Sequence, residues 1–280
     1  YNIMPEGPEV TIIREGLHKL LKGKYIHSIK IGEGSRYRNK DPDLMNTFLE
    51  TTPSKVIKID SKGKLIFWEL ENDFYMLNTL AMSGIWSSEK KEHISLQIHY
   101  GKKNDKESDL KILYFADQRH FGTVKFIKGP SELNKKISSI GPDMLNEKDM
   151  SFEVFEKRMR KQDKKNITVA LMNQKVISGI GNYLKSESLY HAKISPLLNV
   201  EDLNQERLKT LYQSCRLKIV ASYNQGGASL KDYMDIDDKE GQYHFTFQVY
   251  GKKKNPEGLK VEHIQTDDKR GTFWVPEVQI

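Results

Sequence analysis

An α+β architecture is predicted by a change in apolar spacing near residue 128. Before it, short segments rich in Val, Ile, Tyr and Phe alternate with Gly and Asn breaks, a pattern typical of about seven strands. After it, apolar residues recur at helical spacing over several longer segments. We therefore expect an N-terminal β-sandwich or flattened barrel, followed by a largely helical half.

The first predicted element is a helix over residues 10–22. Val10, Ile13 and Leu17 follow its apolar spacing, and Gly23 ends it. Strands are then predicted over residues 25–31, 55–60, 64–70, 74–80, 94–100, 110–115 and 123–127. The stretch 101–109 is dense in Lys and Asp, so we expect a solvated hairpin loop there.

The second half is predicted to be helical until the chain returns to strand near its end. Helices are expected over residues 131–140, 152–162, 167–173, 181–192 and 203–224, and strands over 245–250 and 272–275. These elements suggest a β-sandwich domain (1–128), a linker (129–150), a helical domain (151–244) and a terminal hairpin (245–280).

Composition favours a polyanionic partner and a reducing environment. The net charge is +7, and the basic excess is spread over both halves and not confined to a tail. One cysteine, Cys215, excludes an internal disulfide framework and a multi-cysteine zinc site, so we expect an intracellular setting. No apolar run reaches the roughly 20 residues of a membrane helix, and no membrane partner is expected.

The opening stretch MPEGPEV (residues 4–10) could carry a nucleophile. If the chain is trimmed after Met4, Pro5 gains a free secondary amine with an ordinary pKa of about 8, partly neutral near pH 7. Glu6 could transfer protons beside it, and Glu9 would share its helix face. If Tyr1 to Met4 stay attached, the Pro5 nitrogen is an amide and no nucleophile exists. The alternative interpretation is that Pro and Glu merely favour a first helical turn.

Four further candidate residues lie near glycines: Lys64 where a strand opens, and Met82, Arg119 and Phe121 in loops where strands end. Lys64, in SKGK, could lie near the amine, or it could be a solvated hairpin lysine. Met82, Arg119 and Phe121 occupy loop tips, where an apolar wedge and a cation suit the gap left by an extruded base. The alternative is that Met82 and Phe121 belong to the core.

Two motifs in the second half indicate phosphate binding. The stretch VISGIGNY (176–183) is a Gly-rich turn entering a helix, where backbone amides bind phosphate and Asn182 could add a donor. It lacks the strand and ribose-binding acid of a dinucleotide site. The basic, aromatic segments 247–254 and 269–274 could pair as a β-hairpin finger for a DNA groove.

In this order, the motifs resemble the formamidopyrimidine-DNA glycosylase / endonuclease VIII family over residues 4–279. They are PEGPEV, KGK, AMSG, DQRHFG, GIGNYL, GGASLKDY, FQVYGKKK and RGTFW. The resemblance implies a catalytic β-sandwich whose N-terminal helix carries the proline, a helix–two-turn–helix module and a β-hairpin finger. It also implies a bifunctional DNA glycosylase and AP lyase that acts through a proline Schiff base and β,δ-elimination.

The resemblance also assigns roles to single residues. Pro5, Glu6 and Lys64 would be catalytic, and Glu9 would line the lesion pocket. Met82, Arg119 and Phe121 would fill the void, and Gly227 and Ser229, in the loop 226–233, would contact the substrate. Lys175, Asn182 and Arg270 would contact phosphates around the lesion.

The sequence departs from the family at its finger. Residues 255–260 and 275–278 replace the usual four zinc cysteines. We therefore expect a zincless finger without metal or cofactor, as in some endonuclease VIII-like members, held by packing of Phe245, Phe247, Val249, Phe273 and Trp274.

Substrate preference is mixed. The opening and the finger resemble the branch for oxidised pyrimidines and hydantoins, whereas the void fillers and loop 226–233 resemble the oxidised-purine branch; formamidopyrimidines are shared. We favour the first. The alternatives are a non-catalytic damaged-DNA clamp, if the residues before Pro5 are retained, and a general nucleic-acid binder without lesion preference. A monomer acting on duplex DNA is expected.

Overall fold

The computed structural model describes residues 4–146, 148–228 and 241–280. Eight antiparallel strands form the N-terminal sheet: β1 (Tyr25–Ile31), β2 (Ser54–Lys62), β3 (Leu65–Leu70), β4 (Phe74–Thr79), β5 (Gly84–Ser87), β6 (Ile94–Gly101), β7 (Lys111–Asp117) and β8 (Thr123–Lys128). Their order is β5-β7-β6-β1-β2-β3-β4-β8.

The sheet folds over at β1 into two packed layers. β1 pairs with β6 along most of its length but with β2 at only two positions, Tyr25↔Lys55 and Ile26↔Ser54. Trp68 of β3 lies 5.3 Å from Trp86 of β5, ring centroid to ring centroid, although four strands separate β3 and β5 in the sheet order. The predicted β-sandwich is confirmed, with the apolar faces of both layers in one core.

The described part of the chain contains seven α-helices: α1 (Gly7–Leu21), α2 (Met45–Leu49), α3 (Pro130–Ser138), α4 (Phe152–Arg160), α5 (Ile167–Met172), α6 (Asn182–His191) and α7 (Gln205–Asn224). α1 inserts Ile13, Leu17 and Leu21 into the sandwich core and also contacts α7. The first helix therefore lies between the two halves of the molecule.

The terminal hairpin has a different first strand from the one predicted. β10 (Gly271–Trp274) pairs with β9 (Glu262–Gln265), and not with residues 245–250. The latter form a 3-10 helix, Tyr243–Thr246, followed by a turn. The reason is the buried Glu187 of α6, whose carboxylate accepts hydrogen bonds from the backbone N–H groups of Gln248, Val249 and Tyr250 (2.9–3.1 Å).

Two elements lack a sequence signal. β5 has only four residues, and α2 has five and starts after Leu44, whose φ is +56°. In the part of the chain that the structure describes, no helix is long and apolar enough to span a bilayer.

Candidate active site

The opening of the chain docks onto the Gly-rich turn of the second half. Pro5 and Glu6 are buried, and the Gly7 N–H donates to the Gly179 carbonyl over 2.8 Å. A Cβ on Gly7 would lie 2.9 Å from the Gly179 Cα. A larger residue at position 7 would therefore keep these two backbone segments apart. The sequence motifs at residues 5–10 and 176–183 thus form one site.

The Glu6 carboxylate occupies the amino end of α6. It accepts hydrogen bonds from the backbone N–H groups of Gly181 (2.6 Å), Tyr183 (2.9 Å) and Leu184 (3.3 Å). A Cβ on Gly181 would lie 2.3–2.6 Å from the Glu6 side chain. Residue 181 must therefore lack a side chain for the carboxylate to reach the helix end.

Glu6 has a pKa suited to proton transfer. Burial raises the pKa of Glu6 to about 7, although the nearby Lys64 ammonium and the backbone donors oppose this rise. The pKa of Lys64 is lowered, chiefly by burial and further by the charge of Arg270, while Glu6 opposes this shift. A carboxyl that titrates near neutrality therefore lies directly after Pro5 in the chain and interacts with a destabilised ammonium.

Lys64 is placed by the turn before it. Gly63 has a φ of +56°, and its N–H donates to Asp143 Oδ2 over 2.7 Å. A Cβ on Gly63 would lie 2.6 Å from that of Ser178. The turn between β2 and β3 is thereby held against the Gly-rich segment, so Lys64 is not the solvated hairpin lysine of the alternative interpretation.

Glu9 links the opening helix to the loop after α7. Its Oε2 accepts the Glu6 N–H (2.8 Å), and its Oε1 accepts the Tyr183 hydroxyl (2.9 Å) and the Ala228 N–H (2.7 Å). Gly227 has a φ of +85°, and a Cβ there would lie 2.9 Å from Glu9 Oε1. Glu9 thus fixes the start of the predicted substrate loop. Ser229, and the loop as far as residue 240, lie outside the described residues.

Met82, Arg119 and Phe121 come together at the tips of two loops. Arg119 Nη1 lies 3.4 Å from Met82 Sδ, and its guanidinium carbon lies 5.7 Å from the Phe121 ring centroid. Phe121 is 56% exposed, so it is not a core residue. The buried Asp117 joins the loops by accepting the Ser83 hydroxyl (2.5 Å) and the Gly122 N–H (2.6 Å). An exposed aromatic ring can stack between bases, and the neighbouring cation can interact with the ring and with an unpaired base.

The three predicted phosphate contacts differ in exposure and in the hydrogen bonds that their side chains already make. Lys175 and Arg270 are exposed. The Asn182 amide instead donates to the Gly271 carbonyl over 2.9 Å, which ties α6 to β10. The backbone N–H groups at the start of α6, which the sequence predicted to bind phosphate, instead hold the Glu6 carboxylate. The side-chain nitrogen of Asn182 holds the hairpin.

A buried ion pair beside these residues was not predicted. Lys185 Nζ lies 2.6 Å from Asp268 Oδ2, with side-chain exposures of 0% and 4%. Asp268 Oδ1 also accepts the Arg270 N–H (3.2 Å), so the pair fixes the turn that carries Arg270. A lysine inside YLKSESLY gives no signal in sequence, because its partner lies 83 residues away.

The finger is held by side chains that do not suit zinc. Asn255 Nδ2 donates to Tyr190 Oη (3.1 Å) and Glu257 Oε2 (2.5 Å), and its Oδ1 accepts the Leu259 N–H (2.8 Å). These are an amide, a phenol and one carboxylate, where zinc prefers thiolates and imidazoles. No group of three His, Cys, Asp or Glu side chains suited to a metal occurs within residues 4–146, 148–228 and 241–280.

Of the predicted packing residues, Phe247, Val249 and Phe273 are buried in the core of the helical half. Phe247 lies 5.4 Å from the Tyr183 ring, centroid to centroid. Trp274 is half-buried, and the side chain of Phe245 lies outside the described part of the structure.

Comparison with protein families gives three consecutive matches. Residues 4–124 match the formamidopyrimidine-DNA glycosylase N-terminal domain, residues 140–233 its H2TH domain and residues 234–280 its C-terminal domain.

Curated relatives named formamidopyrimidine-DNA glycosylase match along nearly their whole length. The protein from a Wolbachia of Brugia malayi is 32% identical over 90% of each chain, and that from Lactobacillus johnsonii is 30% identical over 99% of each chain.

Solved structures agree in fold. A Lactococcus lactis Fpg variant in complex with DNA containing Fapy-dG superposes with a TM-score of 0.85 at 26% identity, over 98% of this chain and 99% of that one. The MutM (Fpg) protein from Thermus thermophilus superposes with a TM-score of 0.83 at 25% identity, over 98% of each chain.

Proposed function

Because this chain belongs to the formamidopyrimidine-DNA glycosylase family, we propose that it is a bifunctional DNA glycosylase and AP lyase of base excision repair. It acts on duplex DNA that contains oxidised bases or abasic sites. The observation that carries this function is the buried Glu6, which follows Pro5 in the chain and interacts with Lys64 where the two halves meet. Glu6 there titrates near neutrality and is held by the first N–H groups of α6.

The reaction begins with the Pro5 nitrogen, which forms a bond to C1′ of the damaged nucleotide. The glycosidic bond breaks, and its electron pair leaves with the base, which takes up a proton. The attached nitrogen gives up its proton, the C1′–O4′ bond then opens to give an iminium ion, and the released ring oxygen takes up a proton. Glu6 is suited to supply a proton here, because its pKa of about 7 keeps both forms populated at neutral pH.

Strand scission follows from the iminium. Loss of a proton from C2′ expels the 3′ phosphate (β-elimination), and a second elimination expels the 5′ phosphate. The lowered pKa of Lys64 provides a group beside Glu6 that gives up its proton more readily than an ordinary lysine. We assign Lys64 to these proton transfers.

The amine requires that Pro5 begin the chain. With residue 4 attached, the nitrogen is an amide and cannot attack C1′. In that form the protein is a damaged-DNA-binding clamp, which is the alternative function.

Lesion choice is the finer part of the proposal. The opening residues favour the endonuclease VIII branch, with oxidised pyrimidines and hydantoins, whereas the relatives carry the formamidopyrimidine name. A solved Lactococcus lactis Fpg was captured with DNA containing an oxidised pyrimidine, and another with Fapy-dG. We propose that this chain excises oxidised pyrimidines, hydantoins and formamidopyrimidines, and the endonuclease VIII-like subtype stays a prediction.

The test is excision from duplexes that each carry one lesion, using chain that begins at Pro5. We expect cleavage that leaves phosphate at both ends of the gap, with an undamaged duplex left intact. Failure to cut any lesion duplex, with binding retained, would establish the clamp instead.

A further inference from the structure

A basic cavity of about 530 Å³ lies between the end of α4 and the turn that carries Lys175. Its lining contains four cationic side chains, those of Lys157, Arg158, Lys161 and Lys175, together with the amides Gln162 and Asn173. None of the lining residues is acidic. A concave surface of one sign concentrates field and attracts an anion.

Hydrogen bonds between its two walls hold the cavity in shape. Arg158 Nη1 donates to the carbonyls of Lys175 (3.1 Å) and Val176 (3.4 Å), so one wall holds the opposite wall in place. Lys157 and Lys161 stand four residues apart, and both are exposed at the rim.

The acidic residues near α4 are directed elsewhere. Glu156 accepts a hydrogen bond from Gln205 Nε2 over 3.1 Å, Asp163 pairs with Arg160 at 3.5 Å, and Glu153 is hydrogen-bonded by the Ser151 side chain. The lysines at the cavity therefore keep their charge available to an outside ligand.

We propose that this cavity binds the sugar–phosphate backbone of the duplex beyond the phosphates nearest the lesion. The inference rests on the proposed function, because Lys175 belongs both to this cavity and to the predicted lesion-flanking contacts. A DNA strand that passes Lys175 meets Lys157 and Lys161 next along the same surface. The contact is to phosphate and carries no sequence preference.

The test is the salt dependence of binding. Each phosphate contact contributes a slope of about −0.9 in log K against log salt, so loss of two contacts reduces the slope by about 2. The variant is Lys157→Ala/Lys161→Ala, measured on a duplex with a tetrahydrofuran abasic analogue. Arg158 is left intact because it holds the turn.

The matched control is Lys102→Ala/Lys106→Ala. It removes the same charge from the exposed loop between β6 and β7, at the end of those strands opposite Asp117 and the void-filling loops. We expect a wild-type slope for this control. Equal slopes for both double variants and the wild type would overturn the proposal.

Duplex length and chemistry separate the remaining outcomes. On a duplex truncated just beyond the lesion-flanking phosphates, the α4 variant should match the wild type, and an equal loss on short and long duplexes would overturn the proposal. The amount of covalent adduct trapped with borohydride at saturating protein should be the same for the α4 variant, Lys157→Ala/Lys161→Ala, as for the wild type. A wild type that forms no adduct would refute the proline Schiff base and the AP lyase step of the proposed function, whatever the salt slopes show.

Discussion

Glu6 shows how one residue type acquires different properties from its surroundings. Three backbone N–H groups and the positive end of α6 stabilise its ionised form. Burial acts in the opposite direction and prevails, since the pKa is raised to about 7. The residue is held in place as an anion would be, yet it can carry a proton at neutral pH.

Replacing this carboxyl should change the pH dependence of excision. In the wild type, single-turnover base excision should fall as pH rises through about 7, because Glu6 ionises and can no longer donate. Glu6→Gln should lower the rate by about 10²–10⁴-fold and remove this limb. The same variant should still form adduct on a preformed abasic site, where no base has to leave. A limb that persists near pH 7 in Glu6→Gln would assign it to another group.

Gly181 should be as necessary as the carboxyl that it accommodates. In Gly181→Ala the new methyl would lie 2.3–2.6 Å from Glu6 and displace it. A misplacement of roughly 1 Å costs about 10²-fold in rate. Gly34→Ala is the matched control, because a Cβ at Gly34 meets nothing within 4 Å. Equal single-turnover rates for the two variants would contradict this account of the site.

At the scale of elements, the hairpin finger depends on α6. Asn182 and Lys185 reach it from one helix, through Gly271 and Asp268. Glu187 of the same helix shapes the turn at 248–250 that precedes it. The finger is therefore an extension of the helical half and not an appended module.

Breaking the buried pair should release the turn that carries Arg270. Lys185→Met leaves the Asp268 carboxylate buried without its cation, which costs about 3–5 kcal/mol. Lys260→Met removes an exposed pair with Glu262 and should cost about 1 kcal/mol or less. Urea unfolding of both variants measures the difference, and similar losses would mean that the Lys185 pair does not hold the finger.

The finger should be independent of metal. It is held by the contacts of Asn255 with Tyr190 and Glu257, and by the buried Phe273. Elemental analysis should find no stoichiometric zinc, and a chelator should leave the melting temperature unchanged. Stoichiometric zinc, or a fall in melting temperature with chelator, would contradict the zincless finger.

Elements with a local cause could be predicted from sequence. The strand over 25–31 was placed at its observed bounds, and the first helix was found although its start was missed by three residues. Residues 245–250 look like a strand, but the N–H groups of residues 248–250 donate to Glu187, which lies 61 residues before Gln248. A local sequence pattern gives no information about a buried carboxylate that is distant in sequence. The Lys185–Asp268 pair could not be predicted for the same reason.

The site residues divide in the same way. Motifs identified Pro5, Glu6 and Lys64 as candidates, and the fold places Lys64 close enough to Glu6 to influence its pKa. The hydrogen-bond network around them was not predicted. In it, Tyr183 contacts Glu9, which lies 174 residues away in sequence, and Ser222, which lies 39 residues away. Such contacts follow from the fold and have no signal in a single sequence.

At the scale of the molecule, the active site exists only where the two halves meet. The N–H groups of Gly7 and Gly63 donate hydrogen bonds to the Gly179 carbonyl and to Asp143. The Glu6 carboxylate accepts the N–H of Gly181, which lies 175 residues later in sequence. The sandwich half supplies Pro5, the proposed nucleophile, and Lys64, and the helical half supplies the donors that hold the Glu6 carboxylate. Separation of the halves would therefore dismantle the site.

Borohydride trapping on a duplex with one abasic site tests the central claim most directly. Chain that begins at Pro5 is compared with chain that keeps Tyr1 to Met4. We expect a covalent adduct with the first chain only, because only its Pro5 has a free amine. Adducts with both chains would move the nucleophile to a lysine, with Lys64 the first to examine, and no adduct with either would contradict the enzyme.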